Sequence, residues 1–156
     1  MARYSIDTSS ILHAWRRHYP PEIFPALWQN LDRLIESGDL CASEEVLHEL
    51  ERKDDEVFEW ARTRPSMFIP TDEAIQVAVQ EILARHKKLV DTRRNRSAAD
   101  PFVIALAKVA KCVVVTNELP GGGPDRPRIP DVCSAMSIRH MNLLDLIREQ
   151  RWVFRE

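Results

Sequence analysis

Residues 97–118, with the sequence SAADPFVIALAKVAKCVVVTNE, restrict the fold more than any other stretch of the chain. Nearly every residue from Pro101 to Ala110 is apolar, which predicts a helix covered on more than one side. Cys112–Val115 lacks polar alternation, as expected for a strand packed on both faces of a parallel sheet. The stretch therefore predicts a buried helix that leads into a buried parallel strand.

Acidic residues stand at the far ends of this helix–strand pair. Asp100 lies at the start of the helix, and Glu118 lies just past the strand. Functional groups in open parallel sheets collect beyond the carboxyl ends of the strands, so both acids are candidate site residues. A structural alternative for Asp100 is capping, since an Asp directly before a proline suits the N-cap of a helix.

The length and the shares of apolar and charged residues are those of an ordinary globular protein, and we expect a single domain over residues 1–156. The net charge is −2, so any nucleic-acid binding must come from a local basic patch. Cys41, Cys112 and Cys133 stand in or beside apolar runs and are expected to be reduced thiols of a cytoplasmic protein. With no signal peptide and no apolar run near about 20 residues, we expect no membrane association.

Short strands alternate with helices along the chain. Strands are predicted at residues 3–7, 40–42 and 112–115, with an edge strand within 137–142. Helices are predicted at residues 20–37, 44–52, 54–64, 71–86 and 143–150, with a short helix from residue 129. This alternation predicts an α/β fold with a mainly parallel central sheet.

Three further acids stand where these predicted elements meet. Asp7 ends the first strand, Glu49 lies on the helix after the second strand, and Asp131 begins the short late helix. Together with Asp100 and Glu118, they can reach one carboxyl edge of a single sheet. Oxygen ligands without His or Cys partners are what Mg²⁺ or Mn²⁺ prefers. For Asp7, helix capping stays open as an alternative.

Glu49 differs from the other glutamates of its helix. Glu44 and Glu45 stand in the first turn, where acids suit the positive end of the helix dipole. Glu49 lies beyond that turn and beside apolar residues, so the dipole explains it less well. A zinc-protease helix is excluded, because Arg52 stands where that motif needs its second His.

A basic run precedes Asp100 and is a candidate contact for a nucleic-acid backbone. Its predicted phosphate-binding residues are Arg93, Arg94 and Arg96. The alternative is a solvated surface, which is the commoner role of such a run.

The pieces YSIDTSSIL, SEEVLHEL, ADPFVIALA and VVTNE, in this order, resemble the PIN-domain ribonucleases. ELERKDDEVFEWA together with RIPDVC is most similar to a PIN-like branch grouped with the toxin components of bacterial toxin–antitoxin pairs. The resemblance runs from Tyr4 to about Leu146. It implies a PIN-like three-layer α/β/α fold with a small, mainly parallel sheet.

The resemblance also implies roles for individual residues. The family's acids match, in chain order, Asp7, Glu49, Asp100 and Glu118. At position 118 the family more usually has Asp, and the longer Glu would act through a water. Asp131 matches a further acid, and the predicted metal ligands are Asp7, Glu49, Asp100 and Asp131. Ser9 and Thr116 match hydroxyl positions beside the site.

The function implied is metal-dependent hydrolysis of RNA phosphodiester bonds with Mg²⁺ or Mn²⁺, by a toxin that pairs with an antitoxin protein. A homodimer is a further expectation. The alternatives are a non-catalytic PIN-like module that binds RNA or a protein, and a DNA or flap-type nuclease. A phosphatase or phospho-receiver is disfavoured, because those families usually add a second acid close to the first and the DTSS turn has none.

Overall fold

A parallel sheet lies at the centre of the structure, a computed structural model that describes residues 2–90, 98–123 and 125–155. Within this part of the chain the strands are β1 (Tyr4–Ile6), β2 (Leu40–Ser43), β3 (Phe68–Ile69), β4 (Val113–Val115) and β5 (His140–Met141). Their order across the sheet is β3-β2-β1-β4-β5, and every neighbouring pair is parallel. The predicted α/β fold with a parallel sheet is confirmed.

Helices flank this sheet and connect its strands. They are α1 (Thr8–His13), α2 (Pro25–Glu36), α3 (Glu44–Lys53), α4 (Asp55–Arg62), α5 (Glu73–Arg85), α6 (Asp100–Ala110), α7 (Ile129–Ala135) and α8 (Leu143–Glu149). A π-helical turn, Ala14–His18, extends α1, and a 3₁₀ turn, Pro65–Met67, precedes β3. None of the helices described is long and apolar enough to cross a bilayer.

The central strand β1 is buried along its whole length. It pairs with β2 on one side and with β4 on the other, in registers that place Tyr4 opposite both Leu40 and Val113. Its one polar residue in the middle, Ser5, donates its hydroxyl to the backbone carbonyl of Val103 at 3.0 Å. The hydrogen bond lets a polar side chain lie inside the core without an unsatisfied group.

Helix α6 is the buried helix that the apolar run predicts. It packs against β1, β2 and β4, and α5 lies along it. Val103, Ile104 and Ala105 are fully buried. Since the helix covers three strands, its apolar residues connect the sheet to the helical layer.

The helix predicted over residues 20–37 starts only at Pro25. Phe24, the residue before it, has φ −121° and ψ 55°, outside the helical region. A residue before proline is sterically kept from the α conformation, so the helix cannot extend back through it. The short edge strand β3 was not predicted, because two residues carry too little pattern to identify a strand.

Replacing Ile104 with Ala should lower the free energy of unfolding by about 2–5 kcal/mol, because the substitution leaves a cavity under the sheet. The matched control is Val109→Ala on the same helix, where the side chain is 39% exposed and the loss should be below about 1 kcal/mol. Urea denaturation followed by circular dichroism measures both. Equal losses would show that α6 is not buried on the side the structure gives.

Candidate active site

One cavity at the carboxyl edge of the sheet collects side chains from four separate elements. It encloses about 260 Å³. Four of the five predicted acids line it: Asp7, Glu49, Asp100 and Glu118. They come from the end of β1, from α3, from the start of α6 and from the loop after β4. The parallel sheet therefore brings together residues that are far apart in sequence.

Asp7 lies deepest, with 2% of its surface exposed. It is the N-cap of α1, and its Oδ1 accepts hydrogen bonds from the Ser10 backbone N–H at 2.9 Å and from the Ser9 hydroxyl at 2.7 Å. Its Oδ2 accepts from the Thr116 hydroxyl at 2.7 Å. The capping interpretation of Asp7 is therefore correct, and the capping residue also lines the cavity.

Burial makes the charged form of Asp7 expensive. It raises the pKa of this carboxyl from 3.8 to about 6, against the opposing effect of hydrogen bonds from Thr116, Ser10 and Ser9. The negative charge of Glu118 raises the pKa further. A cation in direct contact with this carboxylate would relieve the cost.

The two hydroxyl residues singled out from the sequence lie beside Asp7 and also hold the loop after β4. The Ser9 hydroxyl accepts from the Asn117 backbone N–H at 3.2 Å, and the Thr116 hydroxyl accepts from the Glu118 N–H at 3.1 Å. Each hydroxyl thus donates to Asp7 and accepts from the loop. This arrangement fixes the backbone that carries Glu118.

Glu49 and Glu45 lie in different environments although they are one helical turn apart. Glu49 is 1% exposed, and its Oε2 accepts from the Ala99 backbone N–H at 3.4 Å. Lys53 places its Nζ 3.5 Å from Glu49 Oε1. The Glu45 side chain is 30% exposed and pairs with His48 outside the cavity. The glutamate that the helix dipole explains poorly is the one that lines the cavity.

Asp100 is the first residue of α6 and not its N-cap. The N-cap is Ala99, whose carbonyl accepts from the N–H groups of Phe102 and Val103. The capping interpretation of Asp100 is therefore wrong. The helix begins one residue earlier than the Asp-Pro pair suggests, which places Asp100 in its first turn beside the cavity.

Glu118 lines the cavity and also binds the start of α7, where its Oε2 accepts from the Ile129 N–H at 2.9 Å.

Asp131 does not join the other four acids. Its carboxylate accepts from the backbone N–H groups of Gly121, Gly122 and Arg128 at 2.7–2.9 Å. Burial opposes ionisation of Asp131, but these hydrogen bonds hold its pKa below the ordinary value.

Gly122 explains why Asp131 is committed to this loop. A Cβ on Gly122 would lie 2.1 Å from the Arg126 carbonyl oxygen and 2.9 Å from Asp131 Oδ2. Only glycine allows the backbone to approach the carboxylate so closely. Asp131 therefore organises the glycine loop.

The donors around the cavity fit a hard divalent cation by chemical type. They are carboxylate oxygens, and the buried Thr8 hydroxyl, which also lines the cavity, has no hydrogen-bond partner among the described residues. In the same part of the chain, no three His, Cys, Asp or Glu side chains are close enough to share one ion. Glu49 and Glu118 each accept one hydrogen bond from a backbone N–H group through Oε2.

Sequence reasoning missed a second group of residues on the cavity wall, which we call the basic wall: His13, Arg16, Arg17 and Lys53. The Arg16-Arg17 pair was the available signal, but the prediction favoured the longer basic run. Arg93, Arg94 and Arg96 of that run lie outside the residues that the structure describes.

The π-helical turn after α1 carries both arginines. The Tyr19 N–H donates to the Ala14 carbonyl at 2.8 Å, a five-residue step that is frequent at functional sites. Arg16 is held by Asp54, with Nε 2.8 Å from Oδ2. Arg17 forms no ion pair within the described part of the chain. Burial, followed by the charge of Arg17 and its basic neighbours, lowers the pKa of His13.

No curated protein sequence matches this chain significantly. Among solved structures, it is similar to a chain in the crystal structure of VapBC2 from Rickettsia felis bound to a DNA fragment from their promoter. The two are 16% identical with a TM-score of 0.54, and the match covers 89% of this chain and 97% of that chain. At this identity the likeness shows the fold, and it confirms the predicted PIN-like architecture.

The family comparison covers almost the whole sequence. Residues 4–154 match the family model described as "Domain of unknown function (DUF4411)". The matched segment includes every acid and hydroxyl residue that surrounds the cavity. The chain, with its PIN-like fold, therefore belongs to the DUF4411 family.

Proposed function

We propose that this protein is a metal-dependent endoribonuclease that hydrolyses RNA phosphodiester bonds with Mg²⁺ or Mn²⁺. The observation that carries the proposal is the convergence of Asp7, Glu49, Asp100 and Glu118 on one cavity. The basic wall of the same cavity supports a polyanionic substrate, and the resemblance to PIN-domain ribonucleases supports RNA. A cavity lined by both acids and cations would suit a phosphate together with a metal ion.

In this proposal Asp7 and Asp100 would hold the ion, Glu49 would complete the ligand set, and Glu118 would contribute through a water. The chemistry supplied by a divalent ion bound there would be a lower pKa for the attacking water and neutralisation of the charge that builds on the phosphate. Asp131 is left out of this set, because its carboxylate holds the glycine loop.

The chain's own contribution is a carboxylate held in a fixed position. Ser9, Ser10 and Thr116 donate to Asp7 and fix both of its oxygens. At metal sites, outer-shell hydrogen bonds hold the ligating side chains in a fixed orientation in this way.

The basic wall would hold the RNA backbone. Arg16 is already paired with Asp54, which orients it, whereas Arg17 is exposed and has no acidic partner in the described residues. Contacts of this kind to phosphates position a strand without reading its bases. Arg93, Arg94 and Arg96 stay predicted backbone contacts outside the described residues.

We further propose an antitoxin protein as partner. The resemblance to toxin-type PIN-like proteins supports it, as does the fold likeness to a chain of the VapBC2 structure from Rickettsia felis. Homodimerisation, the single-domain organisation over residues 1–156 and the cytoplasmic location stay predictions.

Two contacts favour a second function, a non-catalytic PIN-like module that binds RNA or a protein. Lys53 already neutralises Glu49 at 3.5 Å, and the Glu118 carboxylate already binds the Ile129 N–H. A chain that never ligates a metal would show these same contacts.

Incubating the purified protein and single-stranded RNA with Mn²⁺ or with a chelator separates the two functions. Cleavage only with Mn²⁺ supports the nuclease, whereas RNA binding without cleavage supports the module. A DNA or flap-type nuclease would cleave DNA in the same assay.

The first prediction concerns the two glutamates of α3. Glu49→Gln should lower Mn²⁺-dependent RNA cleavage by at least about 10–100-fold, because even outer-shell partners of metal sites have effects of that size. Glu45→Gln, the matched control one turn away, should leave the rate unchanged because Glu45 lies outside the cavity. Single-turnover cleavage assays at saturating Mn²⁺ measure both. If Glu45→Gln lowers the cleavage rate and Glu49→Gln does not, the role assigned to Glu49 is wrong.

The second prediction concerns the buried charge of Asp7. At neutral pH without divalent metal, Asp7→Asn should raise the free energy of unfolding, because it removes a carboxylate whose pKa burial has raised to about 6. The gain is at most about 3 kcal/mol, less the cost of the hydrogen bonds that the amide NH₂ group cannot accept. The gain should shrink as the pH falls from 6 towards 3.8, where folded wild-type Asp7 takes up a proton. Denaturation across this pH range, with Asp125→Asn as the exposed control, measures the difference.

Adding Mn²⁺ should stabilise the wild type and leave Asp7→Asn unaffected. A ligand that binds only the folded state stabilises it, so Mn²⁺ should raise the Tm of the wild type but not that of Asp7→Asn. A variant that responds to Mn²⁺ like the wild type would show that Asp7 is not a ligand.

The third prediction concerns Arg17. Arg17→Gln should weaken binding of single-stranded RNA and should reduce the slope of log K against log salt by about 0.7, the value for one lost phosphate contact. Arg33→Gln on α2, remote from the cavity, is the control and should keep the wild-type slope. Fluorescence anisotropy over a salt series, in chelator to prevent cleavage, gives both slopes. An unchanged slope in Arg17→Gln would remove this residue from the RNA path.

A further inference from the structure

A second cavity opens on the other side of α1 from the active-site cavity. It encloses about 290 Å³. We call it the amide pocket, and the residues that matter for its chemistry are Ser10, His18, Tyr19, Asn117, Asn142 and Leu144. They come from α1 and its π-helical turn, from the loop after β4, and from the start of α8.

The amide pocket and the active-site cavity share their dividing wall. On α1, Ser9 lines the active-site cavity and Ser10 lines the amide pocket. After β4, Glu118 lines the first cavity and its neighbour Asn117 lines the second. The Ser9 hydroxyl joins the two sides directly, since it donates to Asp7 and accepts from the Asn117 N–H. The two cavities are therefore separated by about one residue.

The polar groups of the pocket are suited to the edge of a planar heterocycle. The Asn117 side-chain amide has no hydrogen bond within the described part of the chain, so no described residue uses its donor or its acceptor. Asn142 uses its oxygen to cap α8 through the Asp145 N–H, which leaves its NH₂ group as a donor. The buried Ser10 hydroxyl also has no partner among the described residues.

The remaining walls are aromatic and apolar. The rings of His18 and Tyr19 lie at an angle of 78° with centroids 6.1 Å apart, so they offer two differently oriented faces. Leu144 adds an apolar side chain that is 42% exposed. Proteins that read single-stranded RNA combine these elements, stacking an unpaired base on aromatic rings while polar groups bond to its edge.

We propose that the amide pocket binds the base of the nucleotide next to the scissile phosphate and so gives the enzyme its sequence preference. This proposal rests on the proposed RNA-cleaving function. Asn117 is the selecting residue, because its amide presents a paired donor and acceptor, and His18 supplies stacking that any base accepts. The basic wall holds the backbone, and the amide pocket reads the base.

A binding experiment tests the pocket without requiring cleavage. The four ribonucleoside 5′-monophosphates are titrated into the full-length protein in chelator, with binding followed by NMR chemical shifts. The wild type should bind one of the four at least about fivefold more tightly, the lower end of the discrimination from a good amide–base pair. Asn117→Ala should lose this preference, whereas Asn30→Ala, a matched control on α2, should keep it.

A second variant gives the pocket an independent signature. His18→Ala should weaken binding of all four nucleotides at least about fivefold, because stacking tolerates every base. Binding that is equal for the four nucleotides in the wild type, or unaffected by both substitutions, would overturn the proposal. The Tm of each variant establishes that it is folded.

Cleavage of a random-sequence RNA pool with Mn²⁺ tests the link to the active site. Asn117→Ala should lose the base preference at one position beside the cut, so that its cleavage is spread more evenly over the sites of the pool. A uniform loss at every site would overturn the proposal, because it would mean that residue 117 acts through Ser9 and Asp7. If the wild type cleaves no RNA, the nuclease proposal fails, while nucleotide binding still decides whether the pocket recognises a base.

Discussion

The site depends on one buried carboxylate and the groups that surround it. Asp7 accepts hydrogen bonds from α1 through Ser9 and Ser10, and from the end of β4 through Thr116. The same two hydroxyls accept from the N–H groups of the loop that carries Glu118. One charged side chain therefore joins the central strand, the first helix and the neighbouring strand, and it sets where the loop begins.

This carboxylate stabilises the local structure only in part, because burial opposes its negative charge. The pKa of Asp7 is raised to about 6, whereas the carboxylate of Asp131, bonded to three backbone N–H groups, has a lowered pKa. The two acids therefore differ in whether their surroundings favour the charged form. Asp131 is satisfied where it lies, and Asp7 keeps a charge that a cation would stabilise. For this reason we place the proposed metal at Asp7 and leave Asp131 with the glycine loop.

Helix α1 and its π-helical turn divide the carboxyl edge of the sheet into two regions with different chemistry. On one side are four acids and the basic wall, which suit a phosphate and a divalent ion. On the other are the asparagine amides and the aromatic rings, which suit a base. Consecutive residues contribute to both regions, as Ser9 and Ser10 do on the helix. The two proposals thus assign the phosphate and the base of one nucleotide to opposite sides of one helix.

The sequence alone determined the class of fold and the positions of most acids. The apolar run before Val115 required a buried helix and strand, and the helix-dipole argument separated Glu49 from Glu45, as their burial later did. Only the tertiary structure decided that Asp131 bonds to the glycine loop, that Ala99 caps α6, and that the basic wall lines the same cavity as the acids. The spacing of apolar residues along the sequence shows which face of a helix or strand is buried, because this face is set by residues only a few positions apart. The partner of a polar side chain depends on contacts such as that between Ser9 and Asn117, 108 positions apart, and these exist only once the sheet has formed.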